Sequence, residues 1–403
     1  MSLQPYRRVL AIPGMPTATL LMLVARLPMT AMGITLTLHV VSELGRGYGA
    51  AGLVGTATTV GTAMGAPLVG RMIDRYGLRP VVAVCGTAST LYWLATPHLS
   101  YAVLLAVALP AGILIVPASS ISRQIISAKV PPPARRTAFA MDTISIEASF
   151  MVGPAAGILI STRLSSTVAL TGIGIAFGLV AVALYVLNPP IRGVAESAPA
   201  RGSRPPIRTW LTGRMAATLL IACGALFVLI GTELAALAAL RDNGEVAWTG
   251  VVIAVMCVAS LTGGLVHGAV HRSLPQLPLM VLLAVLVIPV GLFDQPWWLL
   301  ALALIPMNLV CAPTLSATTE AVSELAPPGV RGEAMGLQDS ATRIGMALGA
   351  PAVGFVMDHS SAAWGFAAAG IGGLALAAVG GMFKYRDRRL ALSRESASLV
   401  STS

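Results

Sequence analysis

Residues 130–160, VPPPARRTAFAMDTISIEASFMVGPAAGILI, decide the fold, because their pattern returns about half a chain later. Residues 326–356 read APPGVRGEAMGLQDSATRIGMALGAPAVGFV, and with Arg135 set against Arg331 (331 − 135 = 196) the residues Pro131, Pro132, Arg135, Ala138, Gly153 and Ala156 recur unchanged. Identity alone is a weak signal in an Ala/Gly-rich chain. The order of features is stronger: a Pro-Pro loop, an arginine, and a long apolar helix with an acid in its first third. One ionisable residue at mid-depth and a seam of small residues follow. Two such copies imply two similar halves.

Composition sets the solvent. The 403-residue chain is 56% hydrophobic and only 10% charged, with a mean hydropathy of +0.82, more apolar surface than a water-soluble fold of this length can hide. Apolar stretches able to cross about 30 Å of hydrocarbon fall near 14–41, 49–71, 80–98, 100–127, 134–162 and 166–188, and again near 212–239, 246–270, 276–293, 296–319, 331–357 and 361–383. The expected fold class is therefore an all-α integral membrane protein of twelve transmembrane helices in two pseudo-symmetric six-helix bundles. The bundles would be 1–188 and 212–384, joined by a Pro/Gly/Ser/Arg-rich central loop at 189–211 and followed by a tail at 385–403.

Charge gives the orientation. With the N-terminus on the cytoplasmic side, only Arg46, Arg163 and Arg241 fall outside and Arg26 and Arg343 fall within spans, so 21 of the 26 Lys and Arg lie on the inner side. The expectation is a multi-pass protein of the cell membrane with both termini cytoplasmic. The net charge of +10 then faces an anionic leaflet, and no nucleic-acid partner is implied. All six tryptophans fall near helix ends, where an amphipathic ring favours the membrane surface. The four cysteines sit in apolar runs without metal-ligand spacing and read as packed thiols. The first apolar run is too long for a signal peptide and reads as the first span.

The loop after the second span reads Gly70-Arg71-Met72-Ile73-Asp74-Arg75-Tyr76-Gly77-Leu78-Arg79. It resembles the signature loop of the major facilitator superfamily, matching at Gly70, Asp74, Arg75, Gly77 and Arg79, with Leu78 at a position that is usually basic. The resemblance implies that Asp74 caps a neighbouring helix end and pairs with arginines, closing a gate on the cytoplasmic side. A plain solvated turn is the alternative. The corresponding loop Gly268-Ala269-Val270-His271-Arg272 is degenerate and has no acid. In the fifth span, Gly153, Pro154 and Gly157 resemble the Gly-Pro motif of drug:proton antiporters in that superfamily, with Ser149 and Ile158 in place of two glycines. These residues, with Gly345 and Gly349 downstream, read as helix-packing positions.

The resemblance implies alternating access around a central site. Ionisable residues inside spans each cost about 2.5–3.5 kcal/mol on insertion scales, so they mark function. Arg26, Glu147 and Arg343 are the central candidates, with Glu147 as a proton-carrying carboxylate paired to Arg26; a permanent Arg26–Glu147 ion pair that only locks the bundle is the alternative. Glu233 reads equally as a proton site or an interface pair. Asp142 and Asp339 read as gating partners of Arg123, Arg135, Arg136 or Arg331, Glu320 at the inner end of its span reads as a gate residue, and His267 and His271 read as helix-end residues. The run Leu27-Pro28 after Arg26 implies a broken or kinked first span. Met22, Met29, Met32, Thr143, Met307 and Asn308 are candidate cavity lining, although the methionines serve equally as bundle packing.

No phosphate-binding loop and no metal-ligating cluster occurs in the sequence, so neither an enzyme nor a cofactor is expected. With aromatics at 5%, a moderately apolar organic solute fits better than a sugar. The expected function is proton-coupled export of a small organic molecule by a monomeric carrier of bacterial inner-membrane type. A sugar or amino-acid carrier and a non-transporting receptor or scaffold are the alternatives.

Overall fold

The computed structural model describes residues 4–192, 205–270 and 274–400, with side chains given to Asp387 and Tyr48 excepted. Every long element is a helix. In chain order they are α1 (Gln4–Leu10), α2 (Met15–Ser42), α3 (Tyr48–Tyr76), α4 (Leu78–Ala95), α5 (Tyr101–Ile113), α6 (Ala118–Lys129), α7 (Arg135–Arg163) and α8 (Ser166–Leu187). There follow α9 (Ile207–Trp210), α10 (Gly213–Asp242), α11 (Thr249–Ala269), α12 (Gln276–Val287), α13 (Trp297–Leu325), α14 (Arg331–Asp358) and α15 (Ala362–Val400). Among the described residues ten helical stretches are long and apolar enough to cross a membrane, and α3 and α4 fill the two remaining places in the expected order.

The chain forms two compact units. One comprises residues up to Gly202 together with Pro328–Ser340, and the other comprises Ser203–Pro327 and Ala341–Ser403. In the first, α2 packs on α7 and α8, α3 on α5, and α4 on α8. The second repeats this scheme, α10 packing on α15, α11 on α13 and α12 on α15. Each core is apolar and each outer face is apolar too, with Leu53, Leu179, Val182, Leu292 and Phe355 exposed. Lipid makes such a surface stable where water would not.

Four local features depart from the sequence expectation. First, α2 runs unbroken through Pro28; Thr30, one turn past Arg26, turns its hydroxyl to the carbonyls of Leu27 and of Ser149 on α7. Second, the break falls instead in the fourth span, where Leu114–Pro117 separates α5 from α6. Pro117 lacks the amide that would continue α5, and it drives Val116 out of the helical region. Third, α15 continues to Val400 through residues expected to be a tail, and Asp387 accepts a hydrogen bond from the Arg214 amide at 2.9 Å, capping α10. Fourth, Trp93 and Trp210 are buried. Trp93 stacks on Phe177 in the core of the first unit, whereas Trp298 and Trp364 are exposed.

The small-residue seam works by backbone approach. A Cβ on Gly153 would overlap Thr30 Oγ1 and stand 2.9 Å from the Leu27 carbonyl, and one on Gly157 would meet Thr35 Oγ1 and the Ala31 carbonyl. In the second unit Gly345 and Gly349 meet the carbonyls of Cys223 and Phe227 in the same way. Replacing Gly153 or Gly345 by Val should destabilise its unit by about 1–3 kcal/mol. Gly172→Ala, where the added carbon meets nothing, should stay within about 0.5 kcal/mol of wild type. Thermal midpoints of the detergent-solubilised protein check both; equal midpoints for G153V and G172A would refute the close-packing account.

Candidate functional site

The polar heart of the first unit is built on the break between α5 and α6. Beyond it α6 presents Ser122 and Arg123 toward α7, and every residue from Ser120 to Ser127 is buried. Asp142, two turns into α7, receives Arg26 from α2: Arg26 Nη2 stands 2.7 Å from Asp142 Oδ1, with both side chains buried. Ser122 donates to the same oxygen at 2.5 Å, and Arg26 Nη1 donates to Ser145 Oγ at 3.2 Å. Arg123 is buried beside them, attracted by Asp142 and by Asp339 of α14 and repelled by Arg26. Two cations thus face two anions inside an apolar bundle. Removing one member of such a set leaves an uncompensated charge, at a cost of about 3–5 kcal/mol.

This arrangement corrects the expected pairing. Arg26 binds Asp142 and Ser145, not Glu147, which lies five residues further along α7 and about 140° around it. Asp142 pairs with Arg26 and only interacts at longer range with Arg123. Arg135 clamps the end of α6 instead, donating from Nη2 to the Ser127 carbonyl at 2.7 Å and from Nε to the Val130 carbonyl at 3.1 Å. Glu147 and Arg343 are half-buried, Glu233 is exposed, and Arg331 and Asp339 are buried. Thr143 turns its hydroxyl back to the Phe139 carbonyl.

Met22 and Met307 are core residues, and buried Asn308 donates to its own helix at the Leu304 carbonyl. They pack the bundle. Met29 and Met32 are half-buried against apolar clusters. His271 and Arg272 lie outside the described residues, as do 193–204 of the central loop. What the sequence reading missed is Ser122 and Ser145. Their only signal was a run of small polar residues inside an apolar span.

A second constellation lies past the end of the expected span 49–71. Asp74 Oδ1 accepts from the Gly332 amide at 3.0 Å and Oδ2 from the Glu333 amide at 2.9 Å, so one carboxylate closes two of the free donors at the start of α14. Glycines make this possible: side chains at Gly70 and Gly332 would collide with each other's backbone. The arginines of the loop go elsewhere. Arg79 Nε donates to the Tyr185 carbonyl at 3.0 Å, and Arg75 lies over the Tyr76 ring. Arg192 donates to the Asp74 backbone carbonyl and attracts its carboxylate. Leu78, the departure from the signature, is a core residue packed with Val69, Ile73 and Val81.

Burial pushes the Asp74 carboxyl up to about 7, against the opposing pull of the two amides and of Arg192. The folded unit therefore holds this proton more tightly than the unfolded chain. Its stabilising contribution is complete below about pH 4 and is lost as pH rises through about 7. The difference in thermal midpoint between wild type and D74N should accordingly fall from pH 4 to pH 8 and then level off. A difference that grows with pH would contradict this assignment.

Comparison with known proteins agrees with this architecture. The family model of the Major Facilitator Superfamily matches residues 18–293 and 276–399. No curated protein sequence matches the chain. The solved human organic anion transporter MFSD10 (TETRAN) superposes with a TM-score of 0.73 at 19% identity, over 93% of this chain and 99% of that one. A bacterial homologue of the iron transporter ferroportin, in an outward-facing state, gives 0.73 at 14% identity over 91% and 98%. The proton:xylose symporter XylE, bound to 6-bromo-6-deoxy-D-glucose, gives 0.68 at 15% over 89% and 94%. With the family model covering both units, the chain belongs to the Major Facilitator Superfamily and is a multi-pass membrane transporter.

Proposed function

We propose that this transporter is a proton-coupled exporter of a small organic molecule, working by alternating access in the cell membrane with both termini cytoplasmic. The observation that carries the reading is the buried Arg26–Asp142 pair, because the fold does not require it. The Leu27 and Ala31 carbonyls on Gly153 and Gly157 are matched in the second unit by Cys223 and Phe227 on Gly345 and Gly349. At the place corresponding to Arg26, 196 residues on, that unit has buried Ala222. A seam that closes with alanine in one unit and with an ion pair in the other keeps the charges for work rather than for packing. The clustering of basic residues supports the orientation, and Gly153-Pro154 with Gly157 supports the drug:proton antiporter branch.

With Arg26 engaged by Asp142, we assign half-buried Glu147 and Arg343, together with Glu233, Met29 and Met32, to contact with the solute. Purified protein in vesicles with an imposed pH gradient tests this, using ethidium, chloramphenicol and radiolabelled xylose as probes. An acid exterior should drive ethidium or chloramphenicol outward at least several-fold faster than protein-free vesicles, with xylose unmoved. Gradient-driven xylose movement alone would replace this reading with a sugar carrier, and no movement of any probe would overturn proton-coupled export of such molecules. Glu147→Gln should raise the apparent KM for the transported probe by about tenfold, the loss of one charge-assisted contact, while transport stays dependent on the gradient. An unchanged KM would remove Glu147 from the solute site.

A further inference from the structure

We propose that one end of the second unit carries a binding site for a hydrophobic organic cation, a quaternary ammonium or phosphonium with a bulky apolar body. The site belongs to the other unit from the Arg26–Asp142 cluster, and it requires neither proton coupling nor export. Three features meet there: an aliphatic cavity, a stacked tryptophan pair, and a carboxylate oxygen without a partner.

The cavity has a volume of about 410 Å³ and lies between α11 and α13. Val251, Ala254, Val255 and Val258 follow one another at three- and four-residue spacing, so they form one face of α11, and Ile305 and Leu309 face them from α13. Thr262 is the polar residue of this wall, and its hydroxyl is spent on the Val258 carbonyl at 2.7 Å. The wall therefore offers hydrocarbon alone. A Cβ on Gly263 would overlap the Leu309 carbonyl, so close backbone contact sets the spacing of the two helices.

The mouth has a different chemistry. Trp248, one turn before Val251, stacks on Trp297 at the start of α13, with ring centroids 4.2 Å apart and 7° between the planes. Trp248 stays 43% exposed, and an open indole face attracts a cation through its ring quadrupole. Glu245 precedes Trp248 by three residues across the single 3₁₀ turn Val246–Trp248, a geometry in which side chains three apart eclipse one another. Its Oε2 is shut off from solvent and, among the described residues, has no hydrogen-bond partner. A bound cation would satisfy it. The connections on either side are tied together, Asn243 Nδ2 donating to the Asp294 carbonyl at 3.0 Å and Gln295 donating to Asn243 Oδ1.

Charge selects the sign of the ligand. At this end of the unit the described charges are Asp242, Glu245, Asp294 and Asp358 against Arg241, so the mouth is complementary to a cation and repels an anion. A lipid acyl chain would fill the cavity and leave the mouth unused. A hydrophobic cation engages both.

The test is equilibrium binding of radiolabelled tetraphenylphosphonium to the full-length protein in lipid nanodiscs, at one pH and without a gradient, beside tetraphenylborate as an anion of matching shape. Wild type should bind the cation saturably and the anion not at all. Glu245→Gln should weaken cation binding about tenfold, the loss of a close opposite charge, and Trp248→Ala about fivefold. Ala254→Trp, which fills the cavity, should abolish it. Should W248A or A254W fail to fold, the isosteric E245Q still decides. Saturable binding of the anion with equal affinity, a folded variant among these three that binds like wild type, or no binding beyond that of empty nanodiscs overturns the site. Ethidium transport by the same protein in vesicles reports separately on export: cation binding without transport leaves this site standing and overturns the exporter, and transport without such binding does the reverse.

Discussion

Two arginines and two aspartates held inside an apolar helical unit set the terms for everything around them. In lipid, an unpaired charge or an open backbone amide has no water to turn to, so each must find its partner inside the protein. The α5–α6 break at Leu114–Pro117 would be a defect in an exposed span. Here it lets α6 bring Ser122 and Arg123 onto Asp142 while α2 brings Arg26 from the other side. The chain gives up helix continuity at one point and gains a polar cluster that no unbroken helix at that place would present.

The same rule explains the glycine seams. Once the helices of a unit are surrounded by lipid, association cannot rely on driving apolar surface out of water, and close backbone approach becomes the means of cohesion. Gly153 and Gly157 provide it for α7 against α2, and Gly345 and Gly349 for α14 against α10. At the α3 end of the first unit, Gly70 and Gly332 let the Asp74 carboxylate reach the amides of α14 directly. Asp387 caps the Arg214 amide by the same chemistry in the second unit, and a side chain at Gly213 would press on that carboxylate. A carboxylate on a helix N-terminus, admitted by glycine, thus fastens one helix start in each unit.

Much of this was legible from sequence because lipid solvent makes hydrophobicity and length nearly sufficient. The spans and the duplication rest on period and composition, and the capping role of Asp74 on the resemblance of its loop to the superfamily signature. What was not legible depends on which faces meet. Arg26 could reach an acid at 142 or at 147, and sequence spacing alone does not say which of two faces of α7 turns toward α2; the packing of Gly153 on Leu27 decides for Asp142. Pro28 and Pro117 are both prolines within apolar runs, yet α2 continues through one and the fourth span breaks at the other. A hydroxyl two residues on, Thr30, and the packed seam beside it hold the first in line. Beside Pro117, the Leu114–Val116 backbone leaves the helix.

The repeat itself carries a further lesson about the site. Counted from Arg135 and Arg331 the two copies are 196 residues apart, but the glycine pairs that meet equivalent carbonyls are 192 apart, Gly153 answering to Gly345 rather than to Gly349. The second copy has therefore lost one helical turn between its arginine and its seam. By either count the place of Asp142 is taken by an uncharged residue, Gln338 or Ala334, just as Arg26 gives way to Ala222. Ancestrally similar helices have thus kept the packing and divided the chemistry. A buried pair that served only cohesion would be replaceable by small apolar residues at little or no loss of stability, as the second unit does at its own seam. Its persistence in the first unit, against that gradient, is the physical reason to read it as more than a packing element.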